Sequence, residues 1–193
     1  MSHAYLTKGT AYFSHSLAIL ARTRRLCSDW RMNLTARHEF TATPDRVFTM
    51  CLDPAFLSQV CRDIGALDHS VDVAPGERGP VTRISLEAET VPALAGLAGA
   101  TLKVAQEMAW AEPAPDGTRD ARLLIRVQGL PVVVDADARL APTASGSVID
   151  YAGALRVDVP LLGGLIEKQA VPYVLQILDI QQASAHRWLA EHP

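Results

Sequence analysis

Hydrophobic and polar residues alternate along much of the chain, in the period of two that is typical of strands with one buried face. The clearest example is 132–140, in which Val132, Ala136 and Leu140 share one side and Asp135 and Asp137 the other. Seven alternating segments are predicted to be strands: 33–41, 66–73, 81–89, 101–111, 119–128, 132–140 and 147–159. Most are separated by turn residues, and short links between strands predict an antiparallel meander.

Two short helices are predicted between the first and second strands. Thr43 and Pro44 supply an N-cap and a proline suited to the first helical position, and an acidic residue follows in the first turn. Asp53 and Pro54 repeat this arrangement, and Gly65 is expected to end the second helix.

The apolar spacing changes to three and four residues from Pro160 to Trp188, which predicts one long amphipathic helix. Its predicted buried face comprises Leu161, Leu162, Leu165, Ile166, Gln169, Tyr173, Val174, Ile177, Leu178, Ile180, Ser184 and Trp188. Glu167 is one of the charged residues placed mostly off this face. Because Pro172 offers no N–H to the carbonyl of Lys168, the helix is expected to bend or break there.

The order of one strand, two short helices, six strands and a long helix predicts an α+β fold. In it, a curved seven-stranded antiparallel sheet wraps around the C-terminal helix. This is the order of the helix-grip fold, and over about residues 33–190 the chain resembles the START-like (SRPBCC) superfamily. That superfamily includes polyketide cyclases, lipid-transfer proteins and plant pathogenesis-related allergens.

Two segments carry the resemblance: 40–48 (FTATPDRVF) and 157–168 (VDVPLLGGLIEK). The second is similar to the strand-to-helix junction of a branch of unknown function that is found mainly in high-GC bacteria. The excess of Arg over Lys and the abundance of Ala agree with such a genome. Neither segment is a catalytic motif, so the resemblance implies a fold and no particular reaction.

With 193 residues, 49% of them hydrophobic, and a net charge of -3, the chain suits one globular domain with an appendage. Residues 32–193 are the predicted domain. Residues 1–31 are expected to be a weakly ordered extension or a mis-annotated start, because Met32 directly precedes the first strand; a docking helix is the alternative. The apolar run 17–21 is followed by arginines instead of being preceded by them, which disfavours a secretory signal and favours a cytoplasmic location.

Several classes of partner are excluded by the sequence. The largest basic cluster is the short group Arg22, Arg24 and Arg25, which argues against nucleic acid, and no run of eighteen apolar residues predicts an integral membrane segment. Cys27, Cys51 and Cys61 have neither CxxC nor Cys/His spacing, so they are expected to be buried thiols in a reducing compartment. No cofactor, metal or catalytic residue is expected, and the sequence carries no indication of oligomeric state.

An apolar cavity between sheet and helix is expected for this fold, because small inward residues leave space. Small-molecule pockets are mostly apolar with a few placed polar groups. The candidate ligand-binding residues are His38, His69, Gln106, Met108, Ala136, Tyr151 and Tyr173. For the histidines and tyrosines, a hydrogen-bonded core position is the alternative. Glu87 and Glu89 are expected to form a solvated face instead of an acid–base pair, as are Asp135 and Asp137.

The uncharged stretch 91–100 joins two strands where a tight hairpin would suffice. A lid over the cavity, a membrane-touching patch and a cover for the sheet edge are all compatible with it.

The favoured function is non-catalytic binding or transport of a hydrophobic small molecule or lipid. The alternative is a cyclase-like or dehydratase-like enzyme in which His38, His69 or Tyr151 moves a proton, and a third possibility is a filled core with a functional surface.

Overall fold

The computed structural model describes residues 32–193. The extension or mis-annotated start predicted for residues 1–31, and Cys27 with it, lie outside the described residues. The strands are β1 (Met32–Phe40), β2 (Asp68–Gly76), β3 (Gly79–Glu89), β4 (Thr101–Trp110), β5 (Arg119–Val127), β6 (Val132–Thr143) and β7 (Gly146–Val157). The helices are α1 (Pro44–Cys51), α2 (Pro54–Asp63) and α3 (Gly163–Glu191), with a short 3-10 turn at Pro92–Leu94. The seven strands and three helices predicted from the sequence are confirmed, with ends that shift by no more than three residues.

The strands form one antiparallel sheet in the order β1-β7-β6-β5-β4-β3-β2. The chain therefore has the predicted α+β helix-grip architecture. The register places Gln106 opposite Ile125 and Ala136 opposite Gly153, which sets the predicted inward residues on one face. A Cβ atom on Gly153 would collide with Ala136, so glycine is what allows β6 and β7 to approach so closely here.

The outward face carries the predicted solvated charges. The guanidinium group of Arg122 lies 2.6 Å from Asp135 and 2.7 Å from Asp137. All three side chains are about half exposed or more, so this cluster is a surface feature. The expectation that Asp135 and Asp137 form a solvated face is confirmed.

The two short helices begin and end largely as predicted. The carboxylate of Asp53 accepts a hydrogen bond from the N–H of Ala55 at 2.8 Å, which caps α2. Gly65 adopts a φ of +83° just after α2 ends. Thr43 is the N-cap residue of α1, as predicted, although its hydroxyl makes no capping hydrogen bond. The first turn of α1 is held instead by its backbone, where the N–H of Val47 donates to the carbonyl of Thr43 at 3.1 Å.

The long helix is continuous from Gly163 to Glu191, so Pro172 does not break it. The predicted buried face needs correction at its start, where Leu161, Leu162 and Leu165 are exposed. Glu167, placed off the buried face by the sequence, is 3% exposed. Gln169 and Ile177, placed on the predicted face, are also exposed. Among the described residues, no helix combines the length and apolar character that crossing a membrane requires.

Candidate functional site

Two separate hydrophobic clusters occupy the interior between the sheet and α3. The α1–α2 cluster packs the two short helices against one end of the strands, and its members include Phe40, Val47, Phe56, Met108, Trp110, Ala136, Leu140 and Ile149. The loop cluster packs the 91–100 stretch and the first half of α3 against the other end of the strands. Its members include Leu34, Leu94, Leu102, Val132, Leu155, Ile166 and Ala170. Strands β1, β4, β6 and β7 thus each contribute one end to each cluster.

Between these clusters, inward side chains keep accessible surface. The partly accessible inward residues are Ala36 on β1, Val104 and Gln106 on β4, Ile125 on β5, and Tyr151 and Gly153 on β7. On α3, Tyr173 and Ile177 share a face with the buried Ile166 and Ser184 by three- and four-residue spacing, yet Ile177 is 39% exposed. We interpret this belt as the lining of a space between the middle of the sheet and the middle of α3, and we call it the central space.

Tyr151 is the most deeply placed ionisable residue of this belt. Burial raises the pKa of its hydroxyl well above the ordinary value, and the neighbouring thiol of Cys51 raises it further. Burial also raises the pKa of Cys51 to about 12. Both side chains nevertheless keep accessible surface. Both groups are therefore expected to stay protonated at neutral pH.

His38 packs directly beside Tyr151. Its ring is 5% exposed and meets the Tyr151 ring edge-on, with the centroids 5.1 Å apart. Burial lowers the pKa of His38, and nearby His186 adds to this effect, whereas Asp179 and the carbonyl of Leu178 oppose it. The imidazole is therefore neutral at pH 7.

The other predicted site residues fall into different positions. Gln106 belongs to the belt, and Tyr173 is partly accessible on α3. His69 lies on the edge strand β2, opposite Leu86 and half-buried. Met108 and Ala136 are packed inside the α1–α2 cluster, and Ala136 is only 1% exposed. Contact of these residues with a ligand stays a prediction, and for the last two it requires the cluster to open.

Cys51 was not among the predicted site residues, although its thiol is close enough to Tyr151 to raise the pKa of that hydroxyl. The sequence indicated only a buried thiol, because Cys51 has no partner residue at metal-ligand or disulfide spacing. Cys51 and Cys61 are both free in the structure. Cys51 is the last residue of α1, and no local sequence pattern marks its proximity to Tyr151.

The 91–100 stretch covers the loop-cluster end of the interior. Leu94 is buried, and Val91 and Leu97 pack against the same cluster as Ile166 of α3. This packing is compatible with a lid over the central space and with a permanent cover. The lid, the membrane-touching patch and the cover for the sheet edge all stay predictions for this stretch.

Two grooves lie outside the central space. One of about 590 Å³ lies between the end of α3 and the β6–β7 turn, and Arg37, Arg46 and His186 are among its lining residues. The second, of about 350 Å³, lies between the 91–100 stretch and the β5–β6 turn. In residues 32–193, no group of three or more His, Cys, Asp or Glu side chains is placed to hold a metal ion.

Comparison with known proteins agrees with this architecture. A family model described as "Protein of unknown function (DUF2505)" matches residues 35–189. No curated protein sequence matches the chain.

Solved structures share the fold at low sequence identity. The STAR-related lipid transfer protein from Xanthomonas axonopodis has a TM-score of 0.56 and 14% identity, over 83% of this chain and 89% of that one. The protein TTHA0849 from Thermus thermophilus has a TM-score of 0.53 and 17% identity, over 80% and 97% of the two chains. Ara h 8.0201 has a TM-score of 0.50 and 15% identity, over 80% and 97%. The START-like helix-grip fold implied by the sequence resemblance is confirmed.

Proposed function

We propose that this chain, which belongs to the DUF2505 family of proteins of unknown function, binds or transports a hydrophobic small molecule or lipid in the central space. The observation that carries the proposal is the belt of partly accessible inward residues between two packed clusters. An inward side chain that keeps accessible surface is not fully packed by other protein atoms, so a ligand atom can lie beside it.

The chemistry of the belt suits such a ligand. Val104, Ile125 and Ile177 supply apolar surface, and Gln106 and Tyr151 supply a few polar atoms. That mixture is what small-molecule sites use: apolar walls for affinity and a few polar groups for orientation. The shared fold of the STAR-related lipid transfer protein supports the proposal by analogy.

The ionisable groups favour binding over the enzymatic alternative. An efficient proton donor or acceptor has a pKa near the working pH. The pKa values of Tyr151 and Cys51 are both raised, so neither group releases a proton readily at neutral pH. His38 is the predicted proton carrier that packs against Tyr151. Its ring is almost fully buried, with 5% of the residue exposed.

A pair of tryptophan substitutions tests the proposal. Ala36→Trp places a large side chain in the belt, opposite Tyr151 across the β1–β7 ladder. Ala152→Trp adds the same group to the exposed outward face of β7 and is the control. We expect native mass spectrometry of freshly purified wild-type protein and of Ala152→Trp to show a bound apolar mass. We also expect both to enhance the fluorescence of Nile red, an uncharged apolar dye.

Ala36→Trp should lose the bound mass and the dye signal while keeping its circular dichroism spectrum. Equal dye binding by both variants would place the ligand elsewhere. Absence of both a bound mass and a dye signal in the wild type would contradict the proposed function.

A further inference from the structure

The hydrogen-bonding groups that face the central space are uncharged. Within residues 32–193, the hydroxyl of Tyr151 and the thiol of Cys51 have no hydrogen-bond partner among their neighbours, and burial keeps both protonated. The ring of His38, packed against Tyr151, is held in its neutral form. The accessible polar groups of the site are therefore the Tyr151 hydroxyl, the Cys51 thiol and the Gln106 carboxamide, none of which carries a formal charge at pH 7.

The inward face of the sheet also lacks an available positive charge. In residues 32–193, Arg119 is the one Lys or Arg on that face, opposite Leu140. Its guanidinium carbon lies 4.0 Å from the ring centroid of Phe48, and Nη2 lies 3.2 Å from a carboxylate oxygen of Asp45. Arg119 thus lies beneath α1, where its buried Nε has no hydrogen-bond partner among the described residues, and a buried anion would find no counter-charge in the belt itself.

We propose that the ligand of the central space carries an uncharged hydroxyl or carbonyl group and places it against the hydroxyl of Tyr151. This inference rests on the proposed function and names the class of ligand. The Tyr151 hydroxyl belongs to a partly accessible residue, so a ligand group that bonds to it replaces a bond to water, whereas an apolar ligand would leave the hydroxyl unsatisfied. A carboxylate or phosphate in the same place would lose its hydration without gaining a cation, which disfavours it strongly.

Three probes with one aromatic skeleton separate these effects. At pH 7, 2-naphthol is an uncharged hydroxyl compound, 2-naphthoate is an anion, and 2-methylnaphthalene has no hydrogen-bonding group. Dissociation constants measured with the full chain should rank 2-naphthol as the tightest. We expect 2-naphthoate to bind at least about tenfold more weakly, because its carboxylate must be buried without a partner.

Tyr151→Phe removes only the hydroxyl and leaves the ring packing against His38 in place. The affinity for 2-naphthol should fall roughly 2- to 10-fold, the range expected for one hydrogen bond. The affinity for 2-methylnaphthalene should be unchanged or slightly higher, so this probe also reports whether the variant is folded and its site intact.

The outcomes keep this inference distinct from the proposed function. Binding of 2-naphthoate as tightly as 2-naphthol, or an unchanged 2-naphthol affinity in Tyr151→Phe, would overturn the inference while leaving a hydrophobic site in place. If none of the three probes binds the wild-type chain, and Nile red does not bind either, the proposed function and this inference fail together.

Discussion

His38 shows how one residue links the interior to the stability of the fold. Its ring is packed between Phe40 and Tyr151, with centroids 6.4 Å and 5.1 Å away. The charged groups nearest to it lie on α3, where Asp179 favours the protonated ring and His186 disfavours it. Burial outweighs these effects and lowers the pKa of His38 below its ordinary value of 6.5.

We therefore expect His38 to make the fold less stable in acid. Because the pKa is lower in the folded state, the unfolded chain binds the proton first as the pH falls below about 6.5. Stability is lost from there down to the folded pKa and stays constant below it. The free energy of unfolding in urea should fall more between pH 8 and pH 5 for the wild type than for His38→Phe.

The comparison at pH 8 serves as the control for His38→Phe. Both forms of position 38 are uncharged there, so any difference reports packing alone. An equal loss in acid for the two proteins would show that His38 does not titrate differently on folding.

At the scale of single residues, the sequence predicted which face of the sheet a side chain occupies better than it predicted how exposed that side chain is. Alternation placed Gln106, Ala136 and Tyr151 on the inward face, and the register agrees. It could not distinguish the packed Ala136 from the accessible Tyr151, because both occupy equivalent strand positions. Accessibility depends on what α1, α2 and α3 bring opposite each position, which is not a local property.

At the scale of elements, Glu167 is the contact that fixes the start of α3 against the end of β7. The N–H of Val157 donates to Oε1 of Glu167 at 2.8 Å, in a buried position. Gly163 lies so close to the carbonyl of Val157 that a Cβ atom there would collide with it. Val157 is the last residue of β7, and its buried N–H needs an acceptor. The side chain of Glu167 supplies that acceptor from within the fold.

Two substitutions at Glu167 test this contact. Glu167→Ala leaves the buried N–H of Val157 without an acceptor and should destabilise the fold by about 1–3 kcal/mol. Glu167→Gln keeps an acceptor oxygen and should lose less than half of that. Urea denaturation measures both, and equal losses would show that the carboxylate acts through its charge instead of this hydrogen bond.

The junction between β7 and α3 is also where the predicted buried face of the helix is wrong. The leucines Leu161, Leu162 and Leu165 have the spacing of a buried face but lie where the chain turns from β7 into α3, so they are exposed. Leu161 even has a φ of +66°, outside the helical region. Pro172 does not break α3, which continues through it, and the bend expected there stays a prediction. Hydrophobic spacing indicates which residues could share one helix face. It does not show which of them are covered, because that depends on tertiary contacts such as the hydrogen bond between Glu167 and the N–H of Val157.

At the scale of the whole molecule, the order of elements was sufficient to predict the fold, because few topologies bury both a curved sheet and a long amphipathic helix. The position of the proposed central space is harder to predict. We place it where neither cluster reaches, because α1 and α2 fill one end of the interior and the 91–100 stretch and the first half of α3 fill the other. Such a space is the volume that remains after packing, and no residue encodes it alone.

The last prediction concerns the extent of the domain. β1 pairs with β7 from Met32 opposite Leu155 to Phe40 opposite Ser147, so the ladder needs no residue before Met32. The family model likewise matches from residue 35. A chain of residues 32–193 should therefore fold, and its melting temperature should lie within about 2 °C of that of the full chain, since about 1 kcal/mol shifts a domain of this size by 2–4 °C.

A second truncation that also removes β1, leaving residues 41–193, is the matched control. It should fail to fold, because β7 loses its partner along a whole edge and the two clusters lose Leu34 and Phe40. A drop of more than about 4 °C for the 32–193 chain would correspond to over 1 kcal/mol and would show that residues 1–31 stabilise the domain. Retained Nile red binding by the 32–193 chain would further place the binding site within the helix-grip domain, because its partly accessible belt begins at Ala36.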